Sequence, residues 1–75
     1  MNMALIEAGR VCVKLAGRGA GTKVVVLGVE GKTATVEGVR EKKGKVNVKH
    51  LYPTAEKAHV SKNISKEEIA KILKG

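Results

Sequence analysis

The sequence predicts a mainly β fold, a small barrel of short strands followed by a short C-terminal helix. Three observations predict it. Short apolar stretches, most of them alternating, recur at 10–15, 23–29, 33–37 and 45–49. Nine glycines in 75 residues fall near the ends of these stretches, where turns of special backbone conformation are needed. The one clear helical pattern is confined to 65–74.

Residues 10–15 alternate, and the first strand is read with Val11, Val13 and Leu15 facing the core and Arg10, Cys12 and Lys14 on a basic outer face. Residues 16–22 form a loop whose Gly17, Gly19 and Gly21 let the backbone turn. Residues 23–29 are nearly all apolar and β-branched, which suits a central strand buried on both faces. Gly28 within that run predicts a bulge or bend. Glu30-Gly31-Lys32 reads as a hairpin turn, and the strand that follows turns Ala34 and Val36 inward. A second, strongly basic loop spans 38–44. A strand over 45–49 then places Val46 and Val48 inside and Lys45, Asn47 and Lys49 outside. Pro53, which has no N–H for a ladder, is expected to end this stretch, and 58–60 is a candidate short closing strand.

At the C-terminal end Ser65 and Glu68 form a capping box. Ile64 and Ile69 have the spacing of a hydrophobic staple, and Ile69, Ile72 and Leu73 mark one apolar stripe. Lys71 and Lys74 sit where the helix dipole favours cations. The chain is read as a single domain, 1–75. Four or five strands at this spacing fit an SH3-like or an OB-like barrel. The loops are too short for crossovers in a parallel sheet.

Composition narrows the function. Fifteen Lys and Arg against seven Asp and Glu give a net charge of +8, of which +6 lies in residues 1–50. A field this positive calls for an anionic partner, with nucleic acid first and an anionic membrane second. No apolar run approaches membrane-spanning length, and the first residues lack the pattern of a secretory signal. The single cysteine, Cys12, rules out an intrachain disulfide and a multi-cysteine zinc site, and it suits a reducing, cytoplasmic setting. Catalytic and cofactor motifs fail on inspection. Gly31-Lys32-Thr33 resembles the end of a phosphate-binding loop, but the glycine that motif needs is Val26, and Thr33 opens a strand. Gly17-Arg18-Gly19-Ala20-Gly21 lacks the spacing and the βαβ frame of a dinucleotide fingerprint. His50 and His59 have no partners at metal-ligand spacing, and Glu67 and Glu68 serve the helix start. No enzyme, metal, cofactor or small-molecule substrate is therefore expected.

The basic residues define the candidate site. Arg18 and Lys23 flank the first loop. Arg40, Lys42, Lys43, Lys45 and Lys49 run through the second loop and down an exposed strand face, while Arg10 and Lys14 line the first strand. Loops at one end of a small barrel can converge such charges on phosphates. The only aromatic residue is Tyr52, read in a packing role beside Pro53, so recognition through backbone and shape is expected rather than stacking on bases. The helix is nearly charge-balanced and makes a poor DNA-recognition helix.

Ala8-Gly9-Arg10-Val11-Cys12-Val13-Lys14, with Ala16-Gly17-Arg18 and Ala20-Gly21, resembles the KOW-type opening of the archaeal and eukaryotic large-subunit ribosomal protein "fourteen-e" family. Val46-Asn47-Val48-Lys49-His50-Leu51, then Pro53-Thr54 and the capped helix, resemble later blocks of that family in register with the first. The resemblance implies a five-stranded SH3-like barrel bound to large-subunit ribosomal RNA; neighbouring ribosomal proteins are the other partners expected, and the free protein is expected to be a monomer. The resemblance carries over onto Arg10, Arg18, Lys42, Lys43, Lys45, Asn47 and Lys49 as RNA-facing positions. Where members of the family often carry an arginine cluster, this chain has Lys42-Lys43-Gly44-Lys45, and lysine meets phosphate as a point charge without a bidentate fork. The end at Gly75, without the basic extension of eukaryotic members, suggests an archaeal source. The alternative reading is a KOW module of transcription elongation machinery, a kind usually found inside longer chains. A third, a small enzyme or ligand carrier, lacks a convergent polar pocket in the sequence.

Overall fold

The computed structural model describes residues 6–17, 20–39, 43–58, 60 and 64–74. In chain order they form β1 (Arg10–Lys14), β2 (Lys23–Glu30), β3 (Thr33–Glu37), β4 (Gly44–Asn47), one 3-10 turn (Val48–His50), β5 (Leu51–Lys57) and α1 (Lys66–Lys74). All strand pairs are antiparallel, in the order β4-β3-β2-β1-β5. The mainly β class, the five strands and the C-terminal helix agree with the sequence. The sheet is not closed, however. β4 and β5 are its two edges, and the 3-10 turn leads the chain from one to the other.

β2 occupies the centre because it can be buried on both sides. Val24, Val25 and Val26 have no exposed surface. Val24 and Val26 join Cys12, Ala34, Val36 and Leu51 in one cluster, with Ile6, Val46 and Val48 packed against it. Val25 points the other way, beside its β1 partner Val11, where α1 approaches β2 and Ile69 is fully buried. The expected bulge is present: Val26 pairs with Val36 and Gly28 with Thr35, leaving Leu27 as the extra residue. The helix starts as its sequence signals. The Glu68 N–H donates to Ser65 Oγ at 3.3 Å, and the Ile69 N–H donates to the Ser65 carbonyl at 3.1 Å.

Three expectations are corrected. In β1 it is Cys12, not Val13 or Leu15, that enters the main cluster; Val13 is half-buried and Leu15 is 54 % exposed. Alternation marks two faces without saying which is inside, and α1 covers the Val11 face, so this strand is buried from both sides at its middle. β4 stops at Asn47 rather than continuing to Lys49. The Asn47 side-chain oxygen accepts the Lys49 N–H at 2.9 Å and starts the 3-10 turn. Pro53 does not end a strand but lies inside β5, opposite Cys12. β5 is an edge strand, where a residue without an N–H is tolerated. β5 thus serves as the last strand in place of 58–60, of which His59 lies outside the described residues.

The burial of Cys12 has a chemical consequence. Burial pushes its thiol up to about 11, against a smaller opposing influence of the Arg10 charge. A buried thiol that stays protonated is a poor nucleophile. Cys12 is expected to resist an aromatic disulfide reagent at pH 8 in the native protein and to react stoichiometrically once urea unfolds it. Rapid labelling without denaturant would show that β1 leaves the sheet readily.

Candidate nucleic-acid interface

The open side of the sheet creates a groove. Lys14 at the end of β1, with Ala16 and Gly17 of the loop after it, forms one wall. Lys45, Val46 and Asn47 of β4, with His50 of the 3-10 turn, form the other. The groove has a volume of about 440 Å³. Backbone bonds hold its walls together. The Leu15 N–H donates to the His50 carbonyl at 2.8 Å, which fastens the first loop to the 3-10 turn. The loop is closed at its base by the Lys14 N–H donating to the Thr22 carbonyl at 3.0 Å and the Gly21 N–H donating to the Lys14 carbonyl at 2.7 Å. Gly17 and Gly21 hold φ of +81° and +90°, a region that side chains disfavour, so glycine lets the loop fold back this tightly.

Chemically the groove suits an anion. Among the described residues it combines two ammonium groups with a side-chain amide and an imidazole, and none of those that line it is a carboxylate. Asn47 commits its oxygen to the Lys49 N–H, leaving the amide NH₂ as a donor. Lys45 also lines a polar recess on the outer face, with Glu30, Thr33 and Thr35, so it stands where the two depressions meet. Among the described residues no group of His, Cys, Asp and Glu side chains is arranged to hold a metal, and no helix is long and apolar enough to cross a membrane.

The residues singled out from the sequence fall into four groups. Lys14, Lys45 and Asn47 meet in the groove. Lys43 is exposed just before β4, Lys49 is exposed in the 3-10 turn, and Lys23 is exposed at the start of β2. Arg10 is turned toward the protein. Its guanidinium donates to the Thr54 and Ala55 carbonyls at 3.3 and 3.5 Å and lies 3.9 Å from the Glu7 carboxylate, and its side chain is only 13 % exposed. Arg10 therefore joins β1 to β5, and it does so beside an ion pair between Lys57 and Glu7. The hydrogen bond from Lys57, then its charge and that of Arg10, hold the Glu7 carboxyl below its ordinary value of 4.5. Arg18, Arg40 and Lys42 lie outside the described residues.

Sequence reasoning misses two residues. His50 reads as an isolated histidine in the sequence, yet it lines the groove. Tyr52 reads as packing beside Pro53, but it is 61 % exposed. Alternation from Leu51, which is buried, turns Tyr52 outward once the strand is carried through the proline.

No family model matches the chain. It is 39% identical over 77 residues to large ribosomal subunit protein eL14 of Metallosphaera sedula, covering 96% of this chain and 80% of the relative. It is 43% identical over 67 residues to the protein of the same name from Methanococcus vannielii, covering 89% and 87% of the two chains. With that of Saccharolobus solfataricus it shares 40% identity over 76 residues, covering 95% and 79%.

Proposed function

This chain belongs to the family of large ribosomal subunit protein eL14, and from that premise we propose that it is a structural constituent of the large subunit that holds folded ribosomal RNA by its phosphates. The contacts run through the groove of Lys14, Lys45, Asn47 and His50, and in this reading they extend to the exposed Lys23, Lys43 and Lys49 and to Arg18, Arg40 and Lys42 of the sequence. Arg10 has a different part, fastening β1 to β5 beneath them. The protein performs no reaction. It neutralises charge where RNA segments approach one another, as a fixed cationic surface does. The observation that carries this reading is the meeting of Lys14 and Lys45, with Asn47 and His50, in one groove across the open side of the sheet. The relatives' name favours the ribosome over transcription machinery as the setting.

Sedimentation of a native lysate through sucrose gradients at rising salt tests it. The protein is expected to travel with large subunits at low salt and to leave them as salt rises, because each phosphate contact releases counterions. Migration with RNA polymerase, or at the top of the gradient at low salt, would overturn the reading.

A further inference from the structure

β1 carries a second surface, on the side opposite the main cluster. Lys23, Val13 and Tyr52 pair in register across β2, β1 and β5, so their side chains share one face. Leu15 follows Val13 on that face by alternation. Tyr52 is 61 % exposed and Leu15 54 %, while Val13 is half-buried beneath them. The chain's one tyrosine thus stands largely exposed on the face it shares with Val13 and Leu15. Lys23 stands two strand spacings away, about 10 Å.

We propose that Tyr52 is a stacking platform for one unpaired base of the bound RNA, with Lys23 meeting the phosphate of that nucleotide. The inference rests on the RNA-binding reading above and adds to it a contact with a base. The chemistry matches on both counts. A tyrosine ring accepts the face of any base, and Val13 and Leu15 add apolar surface to the same face. The net charge of +8 favours a polyanion, and the row that holds Tyr52 ends in a lysine. A protein partner fits less well. Three side chains, two of them more than half exposed, fall far short of the roughly 800 Å² that a stable protein interface covers on each partner.

The chain has one tyrosine and no tryptophan, so its tyrosine emission reports Tyr52 alone. The full chain is titrated with a blunt RNA duplex and with the same duplex carrying one unpaired adenosine. The unpaired base is expected to raise affinity about tenfold and to quench the emission, whereas the blunt duplex and inorganic polyphosphate leave it largely unchanged. Tyr52→Ala removes the preference and Tyr52→Phe keeps it. Tyr52 is largely exposed, so both variants are expected to keep the wild-type urea midpoint, which is checked for each. Equal affinity of the wild type for the two duplexes, or a preference that survives Tyr52→Ala, overturns the platform and leaves the RNA reading standing. Failure of the wild type to bind either duplex at low salt overturns both. If Tyr52→Ala binds both duplexes as the wild type does yet no longer rejoins salt-stripped large subunits, the face belongs to a neighbouring protein and the platform is wrong.

Discussion

Gly9→Ala is expected to lower the unfolding free energy by about 3 kcal/mol, a large share of the roughly 5 kcal/mol that a domain this small commands. Gly9 sits where the chain enters β1, with φ at +93°. Its N–H donates to the Val26 carbonyl at 2.7 Å, and its carbonyl accepts the Ala58 N–H at 2.8 Å. One residue thus ties the central strand to the end of β5. A Cβ there would overlap the Ala58 carbonyl oxygen, which is backbone and has no rotamer to escape into. The left-handed conformation costs about 1–2 kcal/mol for an L side chain. Relieving the overlap costs about 1–3 kcal/mol more. At a urea slope of about 1 kcal/mol per M the midpoint falls by about 3 M. Gly28→Ala is the matched control, since Gly28 has an ordinary φ and no atom within 4 Å of an added Cβ. It should leave the midpoint nearly unchanged or raise it slightly. A loss below about 1 kcal/mol in Gly9→Ala would mean that the segment at Ala58 swings aside and that Gly9 does not fasten β5.

Gly9 also marks where sequence reasoning reaches its limit. Its place before an alternating strand suggests a turn, but the oxygen that makes alanine intolerable belongs to Ala58, distant in sequence and adjacent only in the fold. The same division runs through the rest of the molecule. Local signals were legible: the β-branched run of Val24, Val25 and Val26, the bulge at Gly28, and the cap of Ser65 and Glu68. Each is decided by neighbours in sequence. The faces of β1 were not, because both Val11 and Cys12 are buried and only the docking of Ile69 distinguishes the two sides. Pro53 misleads for a related reason. A proline ends a strand in the interior of a sheet but not at an edge, and edge position is a property of the whole topology.

The candidate site divides in the same way. The strong basic charge was legible, and with it the expectation of an anionic partner. Its focus was not. Lys14 and Lys45 belong to strands that do not pair with each other, and they share a groove only because the sheet curves. Arg10 shows the converse. By composition it is one more cation beside the loops, yet its guanidinium is occupied by the carbonyls of Thr54 and Ala55 and by Glu7. A cation directed at the protein's own carbonyls is part of the scaffold.

The double variant Lys14→Ala/Lys45→Ala is expected to weaken binding to folded large-subunit ribosomal RNA about a hundredfold at about 0.1 M salt. The magnitude follows from counterion release. Each phosphate contact contributes roughly 0.9 to the slope of log affinity against log salt on a duplex, which is close to a factor of ten between 0.1 and 1 M. Removing both ammonium groups from the groove therefore makes the slope shallower by about 2 and costs roughly that factor twice. Lys45 is exposed and Lys14 keeps its backbone bonds to Thr22 and Gly21 in the variant, and the urea midpoint is measured beside the affinity so that a fold defect is distinguished from a lost contact. Lys71→Ala removes a charge from the exposed side of α1, away from the groove, and should change affinity by less than about threefold. The comparison separates a site from a general field. If Lys71→Ala weakens binding as much per charge as the double variant does, net charge alone holds the RNA. If the double variant binds as tightly as the wild type with an unchanged slope, the groove is not where the phosphates lie, and the loops around Arg18 and Arg40 must carry them without it.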